Sequence, residues 1–306
     1  MQKLLIDTDI GSDIDDALAI AFALRRPELE VVGITTCAGD VVARARLAMK
    51  LLRVAGRTDV PVAAGYEFPL ATVGPQTWRD YLDGKGLGRH RLTHTAYVKD
   101  GDPEATCEVR RDAVQLIIET VEAHPGEVGI VVIGPYTNVA AALAMQPSIA
   151  PKIKFIAMMG GELAIHRLEH NIKSDAQAAG IVFESPVEKM LGTWSVTRGF
   201  IITEDLCEKI KSQGNELCAA LGEMIDLWWP YKGGKPGPVM YDVAAVIWAF
   251  DRKLYTTEKT RVTVETRGDV STGFTTRMGG EPNMLVTSAI DADGVRDLYM
   301  DTILAG

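Results

Sequence analysis

Apolar positions along the chain alternate between short continuous runs and stretches with helical spacing. Residues 4–6 form a short apolar run typical of a buried strand, and apolar residues recur at helical spacing over residues 17–24. Pro27 then ends that helix. Because the same alternation continues, the pattern predicts an α/β fold: an open, mostly parallel sheet with helices on both faces.

The later elements follow from the same reading. Further strands are predicted at residues 30–36, 60–65, 129–134, 154–159 and 187–190, with a β-rich tail at 260–265 and 273–278. Helices are predicted at residues 42–54, 108–123, 139–145, 242–250 and 293–304, after Asp175, and over most of 204–229. Residues 66–106 are predicted to be a long irregular excursion, with the Gly-rich stretch 83–88 as a candidate lid or turn. No linker or repeat interrupts the pattern, so one domain over residues 1–306 is expected.

A cluster of aspartates occupies the turn between the first predicted strand and the first predicted helix. Its members are Asp7, Asp9, Asp13, Asp15 and Asp16. Capping and the helix dipole explain one or two acids at such a place, but not this many. Ligands bind open α/β sheets at this kind of turn, and crowded carboxylates favour a hard cation such as Ca²⁺ or Mg²⁺. A metal or catalytic site is therefore predicted.

Three other predicted strand-to-helix turns carry polar residues or glycines. They are residues 134–138, Gly160-Gly161 and Tyr241-Asp242. Each has a structural interpretation alone, since Thr137, Asn138 and Asp242 are all plausible N-caps. If the strands are parallel, however, these turns gather with the aspartates at one edge of the sheet. Their joint occurrence favours a shared site.

Composition narrows the class of protein. With 306 residues, 47% hydrophobic and a net charge of -9, the chain suits a globular protein whose main partner is not nucleic acid. Four cysteines without CxxC spacing predict reduced thiols. Neither a signal peptide nor a membrane span is expected, since Lys3 leads directly into the first strand and no apolar run is long enough. A cytoplasmic protein without a membrane partner is predicted.

Several motifs resemble those of one enzyme family. Residues 5–11 followed by 15–20 are similar to the Asp-x-Asp-x-Gly-x-Asp-Asp-Ala signature of the inosine-uridine-preferring nucleoside hydrolases, with two extra residues after Gly11. The resemblance continues in order through residues 134–140, 159–161, 169–179 and 242–246. It implies a nucleoside-hydrolase-like fold with a Rossmann-like core, and hydrolysis of the N-glycosidic bond of ribonucleosides.

The resemblance also implies residue roles. One Ca²⁺ would be held by Asp9, Asp16, Asp242 and the backbone carbonyl of Thr137. Asp9 would also accept a proton from the attacking water. Asp15, Glu169 and Asn171 would contact the ribose. The chemistry suits these residue types, because Ca²⁺ takes 6–8 oxygen ligands and needs a nearby carboxylate base. Family members are commonly dimers or tetramers, so a homo-oligomer is expected.

The chain departs from the family pattern at several positions. The two-residue insertion adds Asp13, which receives no role. Asp40 stands where the family usually has Asn and is a candidate sugar contact. Tyr241 stands where many purine-processing relatives have a His placed to protonate the leaving base, so it is a candidate catalytic residue, although an ordinary phenol is a poor proton donor at neutral pH. His166 is therefore a candidate substitute, and Trp228 is a candidate for stacking on the base.

Two other functions stay open on the sequence alone. The first is a non-catalytic Ca²⁺ and ribose-binding module that has lost leaving-group activation. The second is a Mg²⁺-dependent phosphohydrolase built on Asp7-x-Asp9, although the chain has no Gly-rich Lys-Ser/Thr loop for phosphate.

Overall fold

One mixed sheet organises the computed structural model, which describes residues 1–71, 92–231, 237–268 and 270–305. Its nine strands run in the order β3-β2-β1-β4-β5-β6-β9-β7-β8. They are β1 (Gln2–Thr8), β2 (Leu29–Thr36), β3 (Val62–Ala64), β4 (Val128–Val132), β5 (Phe155–Met159), β6 (Lys189–Gly192), β7 (Tyr255–Val264), β8 (Thr275–Met278) and β9 (Met284–Ile290). Strands β1 to β6 and β9 pair in parallel, whereas β7 is antiparallel to both β8 and β9. The predicted open, mostly parallel sheet is confirmed.

Helices cover both faces of this sheet. They are α1 (Asp15–Arg25), α2 (Val41–Val54), α3 (Pro103–Thr106), α4 (Ala113–Ala123), α5 (Thr137–Met145), α6 (His170–Ser174), α7 (Ala176–Glu184), α8 (Trp194–Thr197), α9 (Glu204–Ser212), α10 (Glu216–Trp228), α11 (Val243–Trp248) and α12 (Ala292–Leu304). Strand β1 shows why a layer of helices is needed on each face of the sheet. Leu4 and Ile6 pack into one apolar cluster, and Leu5 packs into the other. A strand buried on both faces reads as a continuous apolar run.

Two predicted helices differ from those in the structure: one begins later than predicted, and the other is divided into two. The helix predicted from residue 108 begins at Ala113, because Arg110 instead continues the sheet and accepts a hydrogen bond from Ala64 N at 2.9 Å. The helical stretch at 204–229 is two helices. They separate at Gly214, whose φ of +78° is left-handed, and Asn215 then caps α10 by accepting from Cys218 N.

The tail contains a strand that the sequence reading missed. Strand β9 inserts between β6 and β7, where Leu285 is opposite Met190 in a parallel pair. Its apolar run follows Pro282 and Asn283, a boundary that was available in the sequence. The predicted elements do not include this strand, because none is predicted between the β-rich tail and the last helix.

The carboxyl ends of the parallel strands bring the predicted turns together. Gly134, just beyond β4, lies so close to β1 that a Cβ atom there would be 2.8 Å from Asp9 N and 2.8 Å from Cys37 Sγ. Only glycine permits this approach. The predicted lid or turn at 83–88 lies outside the described residues. Over the described ranges, none of the helices combines the length and hydropathy required for a membrane crossing.

Candidate active site

A cavity of about 790 Å³ opens at the carboxyl edge of the sheet. Six acidic side chains are among the residues that line it: Asp9, Asp13, Asp15, Asp16, Glu169 and Asp242. They come from the β1–α1 turn, the start of α6 and the start of α11, which are separate in sequence. The predicted gathering of these residues in one cavity is confirmed, but among the described residues Tyr241-Asp242 follows no strand of the sheet and so is not a strand-to-helix turn.

Three buried aspartates form the tightest group of oxygens in the cavity. Carboxylate oxygens of Asp15, Asp16 and Asp242 all lie within 4.8 Å of one another. Asp242 occupies the N-cap position of α11, yet within the described part of the chain its side chain makes no capping hydrogen bond. The capping interpretation of Asp242 therefore fails, and its carboxyl group is left to the cluster.

The electrostatics of this group fit a bound cation. Burial raises the pKa of Asp16 and of Asp242 well above the ordinary carboxyl value, and repulsion from neighbouring aspartates raises both further. A divalent cation would remove that cost, and an oxygen-only donor set favours a hard ion. The cluster differs from the predicted ligand set in containing Asp15, while Asp9 lines the same cavity.

Arg44, on α2, forms hydrogen bonds to the backbone of the aspartate-rich turn after β1. Its side chain is fully buried, and its Nε donates to the carbonyl of Ala38 at 2.7 Å. Nη1 donates to the carbonyls of Asp9 and Ile10, and Nη2 donates to Ser12 Oγ at 2.8 Å. Nη2 is also 4.0 Å from the carboxylate of Asp9. Sequence reading missed this residue, because an arginine on an amphipathic helix normally indicates an exposed face.

The two-residue insertion is anchored from two other directions. Thr93 N donates to the carbonyl of Gly11 at 2.7 Å, and Thr93 Oγ donates to the carbonyl of Ser12 at 2.8 Å. The indole Nε1 of Trp228 donates to Asp13 Oδ1 at 2.8 Å. Asp13, which had no role in the sequence reading, thus fixes a buried aromatic ring in the cavity wall.

The predicted ribose contacts Glu169 and Asn171 are both buried and line the cavity. Glu169 accepts from the backbone N–H groups of Gly161 and Ile172 through Oε2, and of Asn171 through Oε1. Asn171 Nδ2 donates to the carbonyls of Ile133 and Met159. These bonds fix both side chains at the ends of β4 and β5, and leave acceptor capacity on each.

Three other predicted residues are placed differently. Thr137 is buried, and its hydroxyl donates to Asp175 Oδ2 at 2.8 Å. Asp40 is exposed and caps α2 by accepting from Ala43 N, and His166 is exposed and packs on Phe274 with ring centroids 4.0 Å apart. None of the three is among the described residues that line the cavity, so their roles toward a ligand stay predictions.

Aromatic side chains form another part of the cavity wall. They are Trp194, Trp228, Tyr231 and Tyr241. Burial, with the charges of Asp15 and Asp13, raises the pKa of Tyr241 to about 12. The phenol therefore holds its proton near neutral pH, which suits a hydrogen-bond donor better than a proton source.

Behind Thr93, the buried His94 makes stability depend on pH. Burial lowers its pKa from 6.5 to about 3, and within the described residues its Nε2 has no hydrogen-bond partner. The folded-state pKa lies below the unfolded one, so the unfolded chain binds a proton first as pH falls below 6.5. We expect His94 to cost about 2 kcal/mol of unfolding free energy between pH 8 and pH 5.

Urea denaturation of the wild type and His94→Gln at both pH values measures this cost. At pH 8 both side chains are neutral, so the difference there isolates the structural effect of the substitution. The wild type should then lose about 2 kcal/mol more than the variant on moving to pH 5. Parallel losses in the two proteins would contradict the assignment.

The open α/β sheet and the acid-lined cavity at its carboxyl edge define an α/β enzyme that binds its substrate beyond the strand ends. The model of the inosine-uridine preferring nucleoside hydrolase family matches residues 4–297, and the chain belongs to that family. It is accordingly an enzyme that hydrolyses ribonucleosides, as the resemblance in its motifs implied.

Curated relatives and solved structures agree with this assignment. The chain is 30% identical over 326 residues to a probable uridine nucleosidase 2 of Arabidopsis thaliana, covering 99% of this chain and 98% of the relative. It is 32% identical over 316 residues to the pyrimidine-specific ribonucleoside hydrolase RihA of Citrobacter koseri, covering 98% and 97%. A purine-preferring ribonucleoside hydrolase from Gardnerella vaginalis superposes with a TM-score of 0.81 at 27% identity, covering 99% and 98% of the two chains. A plant nucleoside hydrolase superposes with a TM-score of 0.78 at 27% identity, covering 100% and 99%.

Proposed function

We propose that this enzyme releases ribose and free base from ribonucleosides by attack of a water molecule that a bound Ca²⁺ positions. The observation that carries the proposal is the buried oxygen cluster of Asp15, Asp16 and Asp242 inside a cavity that is also lined by Glu169, Asn171 and several aromatic side chains. Five buried acids around one cavity are costly without a cation, and the cluster of Asp15, Asp16 and Asp242 offers only oxygen ligands.

Asp9, Asp16 and Asp242 would hold the ion, with the carbonyl of Thr137 and with Asp15 close to the same position. When bound, the ion supplies a fixed positive charge that orients water and sugar hydroxyls. Asp9 takes the proton of the attacking water, and its backbone is fixed for this task by Arg44.

The ribose contacts follow from the other cavity residues. Asp15, Glu169 and Asn171 accept from or donate to the sugar hydroxyls, and Asp40 is a further candidate. Positive charge develops on the sugar ring as the base departs, and the surrounding carboxylates stabilise it. The base lies among the aromatic side chains, with Trp228 as the candidate stacking partner. The names of the relatives include uridine, pyrimidine and purine nucleosides as substrates. Experiment must therefore decide which base this enzyme releases.

A panel of purine and pyrimidine ribonucleosides, with product chromatography, tests the proposal. We expect ribose and free base to appear in the presence of Ca²⁺ and to disappear when a strong chelator removes it. Asp9→Ala should lower the rate by about a thousandfold, because the water loses its base. Asp297→Asn, at an exposed position on α12, is the matched control and should leave the rate unchanged.

Two outcomes would count against the proposal. Full activity in the chelator would exclude the cation from the reaction. Tight binding of a nucleoside in calorimetry without any product, across the panel and with saturating Ca²⁺, would instead identify a binding module.

A further inference from the structure

Arg167 is a solvent-exposed cation among the residues that line the acid-rich cavity. It lies between the Gly160-Gly161 turn and Glu169, and it is the one arginine among the described residues that line the cavity. Within that same part of the chain, no carboxylate pairs with it. An arginine without a carboxylate partner, facing a substrate cavity, has its donors available for a ligand.

The loop that carries Arg167 is tied to helix α8. The buried Glu162 accepts from Ala164 N at 2.6 Å and from Ser195 N at 2.8 Å, so one carboxylate joins the loop to the start of α8. Trp194 N in turn donates to the carbonyl of Gly161 at 3.0 Å. The ring of His166 packs on Phe274 beside it. These contacts place Arg167 opposite the ring of Trp194.

The guanidinium of Arg167 stacks on that indole. Its Cζ is 4.0 Å from the ring centroid of Trp194, which itself lines the cavity. Stacking fixes the plane of a guanidinium and leaves the N–H groups at its edges free to donate. Trp194 also belongs to the aromatic part of the wall, where a heterocycle fits. Arg167 therefore faces the position of the base.

We propose that Arg167 stabilises the departing heterocycle as an anion, so that this enzyme favours N-ribosides whose free base has an acidic ring N–H. This proposal rests on the proposed function. The bond between C1′ and the ring nitrogen breaks, and its electron pair stays on that nitrogen beside the guanidinium. Water oxygen bonds to C1′ and its proton passes to Asp9. On release the heterocycle anion takes a proton from solvent and Asp9 returns its proton to solvent, so one water is consumed in each turnover.

The structure offers a matched control for the stacking contact. Arg198 also stacks on Trp194, with its Cζ 4.9 Å from the ring centroid, but it is not among the described residues that line the cavity. Arg198→Gln removes a cation from the same indole without removing a donor from the cavity. Arg167→Lys keeps the positive charge and removes the planar guanidinium group.

The test compares uridine with 4-nitrophenyl β-riboside, whose leaving group departs readily as an anion without help. We expect Arg167→Gln to lower kcat for uridine by about a hundredfold, the size typical of losing one charge-stabilising donor. The same variant should lower kcat for the nitrophenyl riboside by less than about fivefold. Arg167→Lys should recover part of the uridine rate, and Arg198→Gln should stay within about twofold of wild type on both substrates. Thermal unfolding of each variant confirms that it is folded.

Other results would overturn the proposal in identifiable ways. Equal losses on both substrates, or a change in KM alone, would make Arg167 a residue for binding rather than for leaving-group stabilisation. Preference of the wild type for uridine 5′-monophosphate over uridine, lost in Arg167→Gln, would show that the guanidinium binds a phosphate instead. If the wild type with saturating Ca²⁺ hydrolyses neither riboside, the proposed function itself fails.

Discussion

If Ca²⁺ binds as proposed, we expect Asp242→Asn to abolish the stabilisation that the ion provides and to lower the hydrolytic rate by about a thousandfold. Asp242 is 2% exposed and shares one oxygen cluster with Asp15 and Asp16. Asparagine keeps the size of the side chain but removes one of the charges that attract the cation. Loss of a positioned cation costs several kcal/mol of transition-state stabilisation, and about 4 kcal/mol corresponds to a thousandfold in rate.

The same substitution should act in the opposite direction without the cation. Burial, followed by repulsion from the other aspartates, raises the pKa of Asp242 well above its ordinary value in the folded protein. The folded state therefore binds protons more tightly than the unfolded chain, and stability falls as pH rises above the ordinary carboxyl pKa. At pH 8 in chelator, Asp242→Asn should thus melt at a higher temperature than the wild type.

Thermal unfolding in chelator and in Ca²⁺, for wild type, Asp242→Asn and Asp297→Asn, measures both effects. The wild type and the exposed control should show the same rise in melting temperature with Ca²⁺. The variant should start higher and show no rise. A full Ca²⁺ shift in Asp242→Asn would show that the cation binds elsewhere.

The fold was predictable wherever burial on both faces leaves a simple pattern. Leu4, Leu5 and Ile6 read as one apolar run because each face of β1 is covered by its own apolar cluster. Glycines and prolines then marked most ends of elements. The site followed from topology, since parallel strands must place their carboxyl-end turns on one edge. These inferences need only local sequence and one rule of connection.

What the sequence did not disclose are contacts between distant residues. Asp13 and Trp228 are 215 residues apart, and their hydrogen bond depends on how α10 ends over the cavity. His166 packs on Phe274, which lies between β7 and β8, and it is not among the described residues that line the cavity. No spacing or periodicity carries such information. It exists only once the chain is packed.

Arg44 is the clearest example of a residue whose importance lies in packing, and it carries the second large prediction. Arg44→Met should lower the unfolding free energy by about 3–5 kcal/mol, the cost of breaking a buried charged network. Methionine fills much of the volume but leaves the carbonyls of Asp9 and Ile10 without their donor. Hydrolysis should fall by at least about tenfold, since small displacements of a catalytic group are costly. Urea denaturation with saturating Ca²⁺ and steady-state kinetics measure the two effects.

Arg46→Met on the same helix is the control, because Arg46 is only partly buried and its Nη2 donates to one carbonyl at 3.2 Å. Arg44→Lys separates charge from geometry. If Arg44 acts mainly by offsetting the negative charge of the aspartates, lysine should restore stability and rate. Alternatively, Arg44 acts by bridging Ala38, Ile10 and Ser12 with its planar guanidinium. In that case the stability and rate of Arg44→Lys should be close to those of Arg44→Met. We expect the second result, because the hydrogen bonds at 2.7–2.8 Å are short whereas the nearest aspartate carboxylate is 4.0 Å away.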